Sequence, residues 1–201
     1  MATPTGEDVR VLQVYPSLRC NLRCLHCYSS SGPEEGEGLP PGLLRAAVAD
    51  AAAEGYNVLN VSGGEPLLYP HLAELLDAAR GLGMVTTVAT NGTLLDERRL
   101  GVLAGRADLV AVSVDGVPES HDRLRGEPGA FERMARRLDA LWASGIPFGL
   151  LFTLTQSNAH ELEWVVRFAV EAGAVLVQVH PLEEVGRATS LLPGLEPDDV
   201  E

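Results

Sequence analysis

The sequence predicts an α/β protein built around a parallel sheet. Six short apolar segments alternate with segments whose apolar residues recur at helical spacing, which is the pattern of repeated strand–helix units. The strands read as apolar on both faces, as buried parallel strands do, and right-handed crossovers are expected between them. Composition and periodicity alone do not separate an open doubly wound sheet from a barrel.

The first half of the chain contains three such units. A strand at 11–15 is bounded by a proline, and a Gly-, Pro- and Glu-rich linker then leads to a helix that begins near residue 43. The next strand and helix are predicted at 58–61 and 72–79, and the third pair at 84–89 and 96–103. Glycines follow the first two helices, where a left-handed residue commonly ends a helix.

The second half contains the remaining three strands, at 109–114, 147–154 and 175–179. Helices are predicted at 131–142 and from Asn158 to about residue 169, with Asn158 and Glu161 as N-cap and capping box. A further helix is expected to begin near Asp198. We therefore expect a loose tail over 1–10, a core over 11–188 and a C-terminal stub over 189–201, so that the fold is truncated after its sixth strand.

The amino-acid composition limits the functions that the chain can have. The chain has 201 residues, 46% of them hydrophobic and 21% charged, which suits one globular domain. A net charge of −13 argues against nonspecific binding to nucleic acid or to an anionic membrane, and no apolar run approaches the ~20 residues of a membrane span. Three cysteines are an odd number for a disulfide framework, and with no targeting segment the thiols favour the reducing cytoplasm.

All three cysteines lie within eight residues. Cys20, Cys24 and Cys27 follow the first strand in the spacing Cys-x3-Cys-x2-Cys. Three thiolates hold three corners of an iron–sulfur cube and leave the fourth iron open to a small chelating molecule, whereas a closed zinc site takes four ligands. The alternative is structural zinc with His26 as fourth ligand, but His26 would have to fold back onto a metal held by both neighbouring cysteines.

Two further motifs also follow strands. Gly63, Gly64, Glu65 and Pro66 come after the second strand, and adjacent glycines let the backbone approach a ligand that any Cβ would block. A lone Gly-Gly would indicate only a tight turn, but here it accompanies the cysteines. Asn91 after the third strand belongs either to a plain Asn-Gly turn or to the ligand site.

The cysteine spacing, His26 and Gly63-Gly64-Glu65-Pro66 together resemble the radical S-adenosylmethionine (radical SAM) enzymes, over about residues 11–188. The resemblance implies a (β/α)6 partial barrel whose active site lies at the C-terminal ends of the strands. It also implies a [4Fe-4S] cluster on the three cysteines, with SAM chelating the open iron.

Further residues are assigned to SAM by the same resemblance. The glycine-rich segment would receive the amino group and methionine end of SAM, and Asn91 would lie at the same site. Residues 121–126 look like a loop of peptide-modifying members in which Ser113 hydrogen-bonds SAM and Arg125 pairs with its carboxylate. His121 and Asp122 are interpreted as a loop-to-helix cap.

The implied reaction needs an external electron donor of the flavodoxin or ferredoxin type. Reductive cleavage of SAM would give a 5′-deoxyadenosyl radical that takes a hydrogen atom from a peptide or small-molecule substrate. Peptide modification is the first choice of function, and a tailoring step in cofactor or heme biosynthesis the second. A non-catalytic iron–sulfur or zinc module is the rival from another class.

Two features near the C-terminus leave alternatives open. His180 ends the sixth strand and is either a substrate-facing acid or base or an ordinary histidine. Gly186-Arg187-Ala188 resembles a segment of members that continue into auxiliary-cluster domains. Truncation there would leave apolar surface exposed on strands five and six and favour self-association.

Overall fold

The computed structural model describes residues 9–36 and 38–197. Its strands are β1 (Val11–Val14), β2 (Val58–Val61), β3 (Val85–Thr90), β4 (Leu109–Ser113), β5 (Phe148–Leu154) and β6 (Val177–Pro181). Its helices are α1 (Pro41–Ala53), α2 (Leu72–Gly81), α3 (Glu97–Leu103), α4 (Pro118–Arg125), α5 (Ala130–Ala143), α6 (Leu162–Ala172) and α7 (Ala188–Leu191). Two 3-10 turns span Pro66–Leu68 and Ala159–Glu161.

The six strands form one parallel sheet in the order β1-β2-β3-β4-β5-β6, each paired with the next strand of the sequence. Because neighbouring strands are joined through helices, this order produces a half barrel, and the predicted (β/α)6 partial barrel is confirmed. The carboxyl ends of all six strands therefore meet along one rim, where the motifs of the sequence come together.

The two faces of the sheet differ. The helix-facing positions, such as Leu59, Val110 and Leu150, are fully buried in the main core. The opposite positions on the central strands are half-buried and mixed in character, with Thr87 and Ser113 beside Leu109 and Leu151. The expectation that the strands are apolar on both faces therefore holds only in part on this concave side, where no helix packs in the described part of the chain.

Two local predictions are corrected. Residues 121–126 were expected to lie in a loop, but 121–125 belong to α4, which has Pro118 in its first turn and ends at Gly126 in the left-handed conformation. Asn158 does not cap the following helix, since its side chain accepts from the backbone N–H of Thr155 and donates to the carbonyls of Asp115 and Thr153.

The edge of the sheet at β6 carries exposed apolar side chains. Val179 of β6 is 39% exposed, Val175 just before the strand 64%, and Val170 of the neighbouring α6 74%. At the other end, Arg10 stacks over Tyr56 at 4.5 Å. The rest of the predicted tail, residues 1–8, and the helix expected near Asp198 lie outside the described residues.

Candidate functional site

The cysteine loop, residues 17–28, lies directly after β1 at the carboxyl rim. Cys20 and Cys24 are buried, Cys27 is half-buried, and all three are free thiols. The loop is irregular and returns on itself, with the backbone N–H of Cys20 donating to the carbonyl of Gly32 at 3.0 Å. The end of β1 and this hydrogen bond therefore hold all three cysteines in one short loop at the rim.

The thiols lie in a low-polarity environment. Burial raises the pKa of Cys20 to about 12, and the proximity of Cys24 and Cys27 adds to the rise. Burial also raises the pKa of Cys24, against the opposing charge of Arg125. Such thiols keep their protons at neutral pH unless iron displaces them, as coordinated metals do.

Polar donors are directed at two of the sulfur atoms. Cys20 Sγ accepts from the backbone N–H of Leu22 at 3.5 Å and from the amide of Asn91 at 3.9 Å. Cys24 Sγ accepts from the guanidinium of Arg125 at 3.7 Å. Donors of this kind stabilise thiolate ligands and adjust the reduction potential of iron–sulfur clusters. Three thiolates with polar support fit a cluster held at three corners.

His26 is turned away from a fourth-ligand position. Its Nε2 lies 3.6 Å from Asp115 Oδ2, and burial lowers its pKa to about 4, so the ring is neutral. In the described part of the chain, no three Cys, His, Asp or Glu side chains converge tightly enough to hold one metal ion. A cube differs because each thiolate binds a different iron, so the sulfur atoms need not converge.

Gly63 and Gly64 pack against the backbone of the cysteine loop. A Cβ on Gly64 would lie 2.2 Å from the carbonyl oxygen of Arg19, and one on Gly63, at φ +107°, would lie 2.8 Å from that of Ser17. The N–H of Gly64 donates to the Ser17 carbonyl at 2.9 Å. Both glycines are therefore required by contact with the cysteine loop, a reason that the sequence did not reveal.

Glu65 connects this segment to the end of β3. Its carboxylate is buried and accepts from the backbone N–H of Leu67 and Asn91 and from the hydroxyl of Thr90, at 2.8 to 3.1 Å. Burial raises its pKa despite these donors. Pro66 follows as the first residue of a 3-10 turn. In this geometry Glu65 fixes the relative position of two loops.

Asn91 forms a turn and also contacts the cysteine loop, while its place at the SAM site stays a prediction. Its side-chain oxygen accepts from the backbone N–H of Thr93 at 3.0 Å, and Gly92 follows at φ +76°. Its amide donates to Asn21 at 3.0 Å and reaches Cys20 Sγ. The turn thus carries a hydrogen-bond donor to a cysteine.

Arg125 lies in the last turn of α4, beneath the cysteine loop. Its Nε is 2.6 Å from Asp115 Oδ2, and both side chains are buried. The preceding residue, Leu124, accepts a backbone hydrogen bond from Leu25 at 2.8 Å. The guanidinium is therefore held between Asp115 and Cys24, and Asp115 is a site residue that the sequence analysis did not single out.

Asp122 and His121, which were both predicted to form a loop-to-helix cap, have different roles in the structure. Asp122 caps the start of α5, because its carboxylate accepts from the N–H groups of Gly129 and Phe131. His121 is a buried helix residue whose Nδ1 accepts from the N–H of Asp115 at 3.2 Å, so the cap interpretation is wrong for it.

Ser113 is the last residue of β4 and His180 the penultimate residue of β6, so both lie at the rim. Ser113 is half-buried and His180 is exposed. Neither side chain forms a hydrogen bond within residues 9–36 and 38–197. Both are therefore available to a ligand, and the choice between the two interpretations of His180 stays open.

The segment after β6 completes the support of the cysteine loop. Arg187 donates from Nε to the carbonyl of Cys24 at 2.8 Å and from its backbone N–H to that of Cys27 at 3.0 Å. A Cβ on Gly186, at φ +60°, would lie 2.3 Å from the Tyr28 carbonyl oxygen. The sequence drew attention to these residues without predicting these contacts.

A half barrel whose strand ends converge on a three-cysteine loop defines a class of α/β proteins that bind their ligands at the carboxyl rim. The chain belongs to the radical SAM superfamily, whose family model matches residues 14–169. Members of this superfamily are enzymes. No helix among the described residues combines the length and apolar character needed to cross a membrane.

Individual relatives include both heme-forming and peptide-maturing proteins. The chain is 34% identical over 176 residues to Fe-coproporphyrin III synthase of Methanosarcina barkeri, covering 87% of this chain and 44% of the relative. It is 32% identical over 180 residues to the sporulation killing factor maturation protein SkfB of Bacillus subtilis, covering 89% of this chain and 44% of SkfB. The chain thus spans about half the length of these relatives.

Among solved structures, the chain is similar to Streptococcus suis SuiB bound to its precursor peptide SuiA. The TM-score is 0.78 at 22% identity, covering 92% of this chain and 42% of that one. At this identity the similarity establishes the fold.

Proposed function

We propose that the chain is a SAM-cleaving radical SAM core. Cys20, Cys24 and Cys27 hold a [4Fe-4S] cluster, and SAM binds beside them at the rim. When bound, the cluster and SAM supply reductive cleavage of a carbon–sulfur bond and a 5′-deoxyadenosyl radical for hydrogen abstraction. The observation that carries the proposal is the three-thiol loop supported at the carboxyl rim, together with membership of the superfamily.

The chain's own residues have distinct tasks in this proposal. Gly63 and Gly64 fix the cysteine loop and leave their surroundings free of side chains, while Glu65 and Pro66 shape the turn beside them. Asn91 supports Cys20. Ser113 offers a free hydroxyl to SAM, and Arg125 offers a fixed positive charge to its carboxylate.

The half-buried concave face is suited to receive the substrate. Its small and polar side chains, among them Thr87 and Ser113, leave room beside the rim. Modification of a peptide is the function we favour, since SkfB is named as a maturation protein and SuiB was solved with a precursor peptide. A heme or cofactor tailoring step is the second candidate, supported by the heme-synthase relatives.

Two organisational features belong to the same proposal. Residues 11–188 form the catalytic core. The enzyme works in the cytoplasm, which the free thiols favour, and takes its electron from an external donor of the flavodoxin or ferredoxin type.

The test is anaerobic reconstitution with iron and sulfide, followed by SAM and dithionite. We expect about four irons per chain and formation of 5′-deoxyadenosine without substrate. The Cys20→Ala, Cys24→Ala and Cys27→Ala variants should lose the absorption of the cluster. Equal iron binding by a triple variant, or a loaded protein that never cleaves SAM, would refute the proposal.

A further inference from the structure

A cavity lined by arginines lies beside the cysteine loop. It has a volume of about 430 Å³ and is lined by Thr93 and by Arg133, Arg136 and Arg137 of α5. The chain has 15 basic residues, all arginine, against 28 acidic ones. Three arginines at one cavity therefore form a local positive patch on a strongly acidic protein. We call it the arginine cavity.

The patch keeps much of its charge. Arg133 pairs with Glu127 at 3.0 Å and Arg136 with Glu132 at 2.9 Å, but these pairs are exposed and weak. Arg137 forms no ion pair within residues 9–36 and 38–197. Arg137 does feel the charge of Asp96, but Asp96 also pairs with Arg99 at 2.5 Å. Four arginines therefore stand against three carboxylates around the cavity, which leaves a net positive charge.

The arginine cavity is connected to a predicted cluster ligand by a short chain of contacts. Thr93 lines the cavity, and its hydroxyl accepts from the amide of Asn21 at 2.9 Å. Asn91 donates to the side-chain oxygen of Asn21 at 3.0 Å and lies 3.9 Å from Cys20 Sγ. The hydroxyl of Thr93 also donates to the side-chain oxygen of Asn91 at 2.6 Å, so a single side chain separates the wall of the cavity from the first cysteine.

We propose that the arginine cavity is the docking surface for an acidic electron-carrier protein, an inference that rests on the proposed function. Electron transfer weakens steeply with distance, so a donor must dock close to the cluster. At physiological salt, charges more than ~8 Å apart are largely screened, so the local patch and not the net charge of −13 decides where an acidic partner binds. Complementary charge also speeds the encounter.

The electron count is simple for a flavin donor. One electron leaves the anionic flavin hydroquinone, which becomes the neutral semiquinone, and enters the oxidised [4Fe-4S]2+ cluster, which becomes [4Fe-4S]+. No proton has to cross the interface. A nucleic acid is a poorer occupant, since three arginines neutralise few phosphates on a chain that repels polyanions elsewhere.

The experiment compares two variants of equal net charge. The cavity variant carries Arg133→Glu, Arg136→Glu and Arg137→Glu. The control carries the same change at Arg45, Arg106 and Arg167, which lie on or beside other helices and form ion pairs there. Circular dichroism establishes that both fold, and Arg137→Glu alone serves if the triple variant does not.

Two measurements use the cluster-loaded protein. The first is the affinity for oxidised flavodoxin by calorimetry at low salt, and the second is the stopped-flow rate at which flavodoxin hydroquinone bleaches the cluster absorbance. We expect the cavity variant to lose about tenfold or more in rate and to bind measurably more weakly, while the control changes far less. Increasing salt should slow the wild-type rate toward that of the cavity variant.

Equal losses in both variants, no loss in the cavity variant, or an oligonucleotide that binds at these arginines while flavodoxin does not would overturn the docking proposal. Reduction by dithionite separates this outcome from failure of the proposed function. If dithionite and SAM give 5′-deoxyadenosine in both variants, the catalytic core is intact and only docking is under test.

Discussion

Arg125 and Asp115 form a buried ion pair in which Nε lies 2.6 Å from Oδ2, with side-chain exposures of 8% and 0%. The guanidinium of the same arginine reaches Cys24 Sγ at 3.7 Å. The pair therefore links the end of β4 to the cysteine loop through α4. Its charges stabilise each other in an environment where either one alone would be strongly disfavoured.

The first prediction concerns this pair. Asp115→Asn should lower the free energy of unfolding by about 3–5 kcal/mol, because it leaves a buried guanidinium without its counter-charge. Urea unfolding of the apoprotein measures the change. As control, Glu163→Gln removes an exposed partner of Arg167 and should cost less than about 1 kcal/mol. Similar small losses in both variants would show that the buried pair contributes little.

The second prediction concerns acid stability. Burial and the charge of Arg125 lower the pKa of His121 to about 4, below the ~6.5 of an unfolded histidine. The unfolded chain then binds more protons below pH 6.5, so stability is complete above that pH and falls toward pH 4, by up to about 3 kcal/mol from this group.

His121→Asn should reduce the wild-type loss of stability between pH 6.5 and 4 by about half, because the pKa of His26 is also lowered to about 4 and its share of the loss stays. Urea unfolding at a series of pH values measures the change. His180→Asn is the matched control, because His180 is exposed, and its profile should match the wild type. A His121→Asn profile that is parallel to the wild type would contradict the prediction.

The third prediction concerns Gly64. Gly64→Ala should reduce iron loading several-fold, since the new Cβ would displace the Arg19 carbonyl, which it would approach to 2.2 Å. Gly81→Ala, where a Cβ meets nothing within 4 Å, is the control and should load normally. Iron content after reconstitution is the measurement. If Gly64→Ala kept full iron and lost only SAM affinity, the glycine would serve the ligand and not the cysteine loop.

The fourth prediction separates backbone strain from contact. Gly186→Ala should lower iron loading and stability beyond the ~1–2 kcal/mol that a left-handed alanine costs, because its Cβ would lie 2.3 Å from the Tyr28 carbonyl oxygen. Gly145→Ala, at φ +73° in open space, reports the strain alone. Equal effects of the two substitutions on unfolding and iron content would show that the contact is unimportant.

The fifth prediction concerns Asn91. Asn91→Ala removes an N–H donor from Cys20 Sγ and should lower the reduction potential of the loaded cluster, because donors to sulfur favour the more negative reduced state. A net hydrogen bond of 0.5–1.5 kcal/mol corresponds to about 20–65 mV for one electron. A redox titration followed by EPR measures the shift. Gln178→Ala on β6 should leave the potential unchanged, and a similar value for Asn91→Ala would refute the role.

The sequence was sufficient to predict the parallel sheet and the place of the cysteines, because both depend on local patterns. Strand periodicity and the glycines that follow helices can both be recognised from residues only a few positions apart in the sequence. The prediction failed at α4. Pro118 and Gly126 are typical residues for the start and end of a helix, but this segment was interpreted as a loop because it resembled one.

The supports of the site were harder to predict, since they depend on which distant segments meet. Nothing near Asp115 indicates that Arg125 will turn inward to it, and nothing near Gly186 indicates that Tyr28 will lie against it. Asn158 shows the converse error. Its spacing to Glu161 suggested a capping box, but its side chain instead joins the ends of β4 and β5.

The contact of Arg187 with Cys24 spans 163 residues, and this separation has a consequence for biosynthesis. At ribosomal rates of ~5–20 residues per second, the cysteines emerge roughly ten seconds or more before the arginine that holds their loop. During that interval the thiols are exposed to metals and oxidants without their final support. We therefore expect correct iron delivery to follow release of the core from the ribosome, so that the maturation machinery acts on a nearly folded chain.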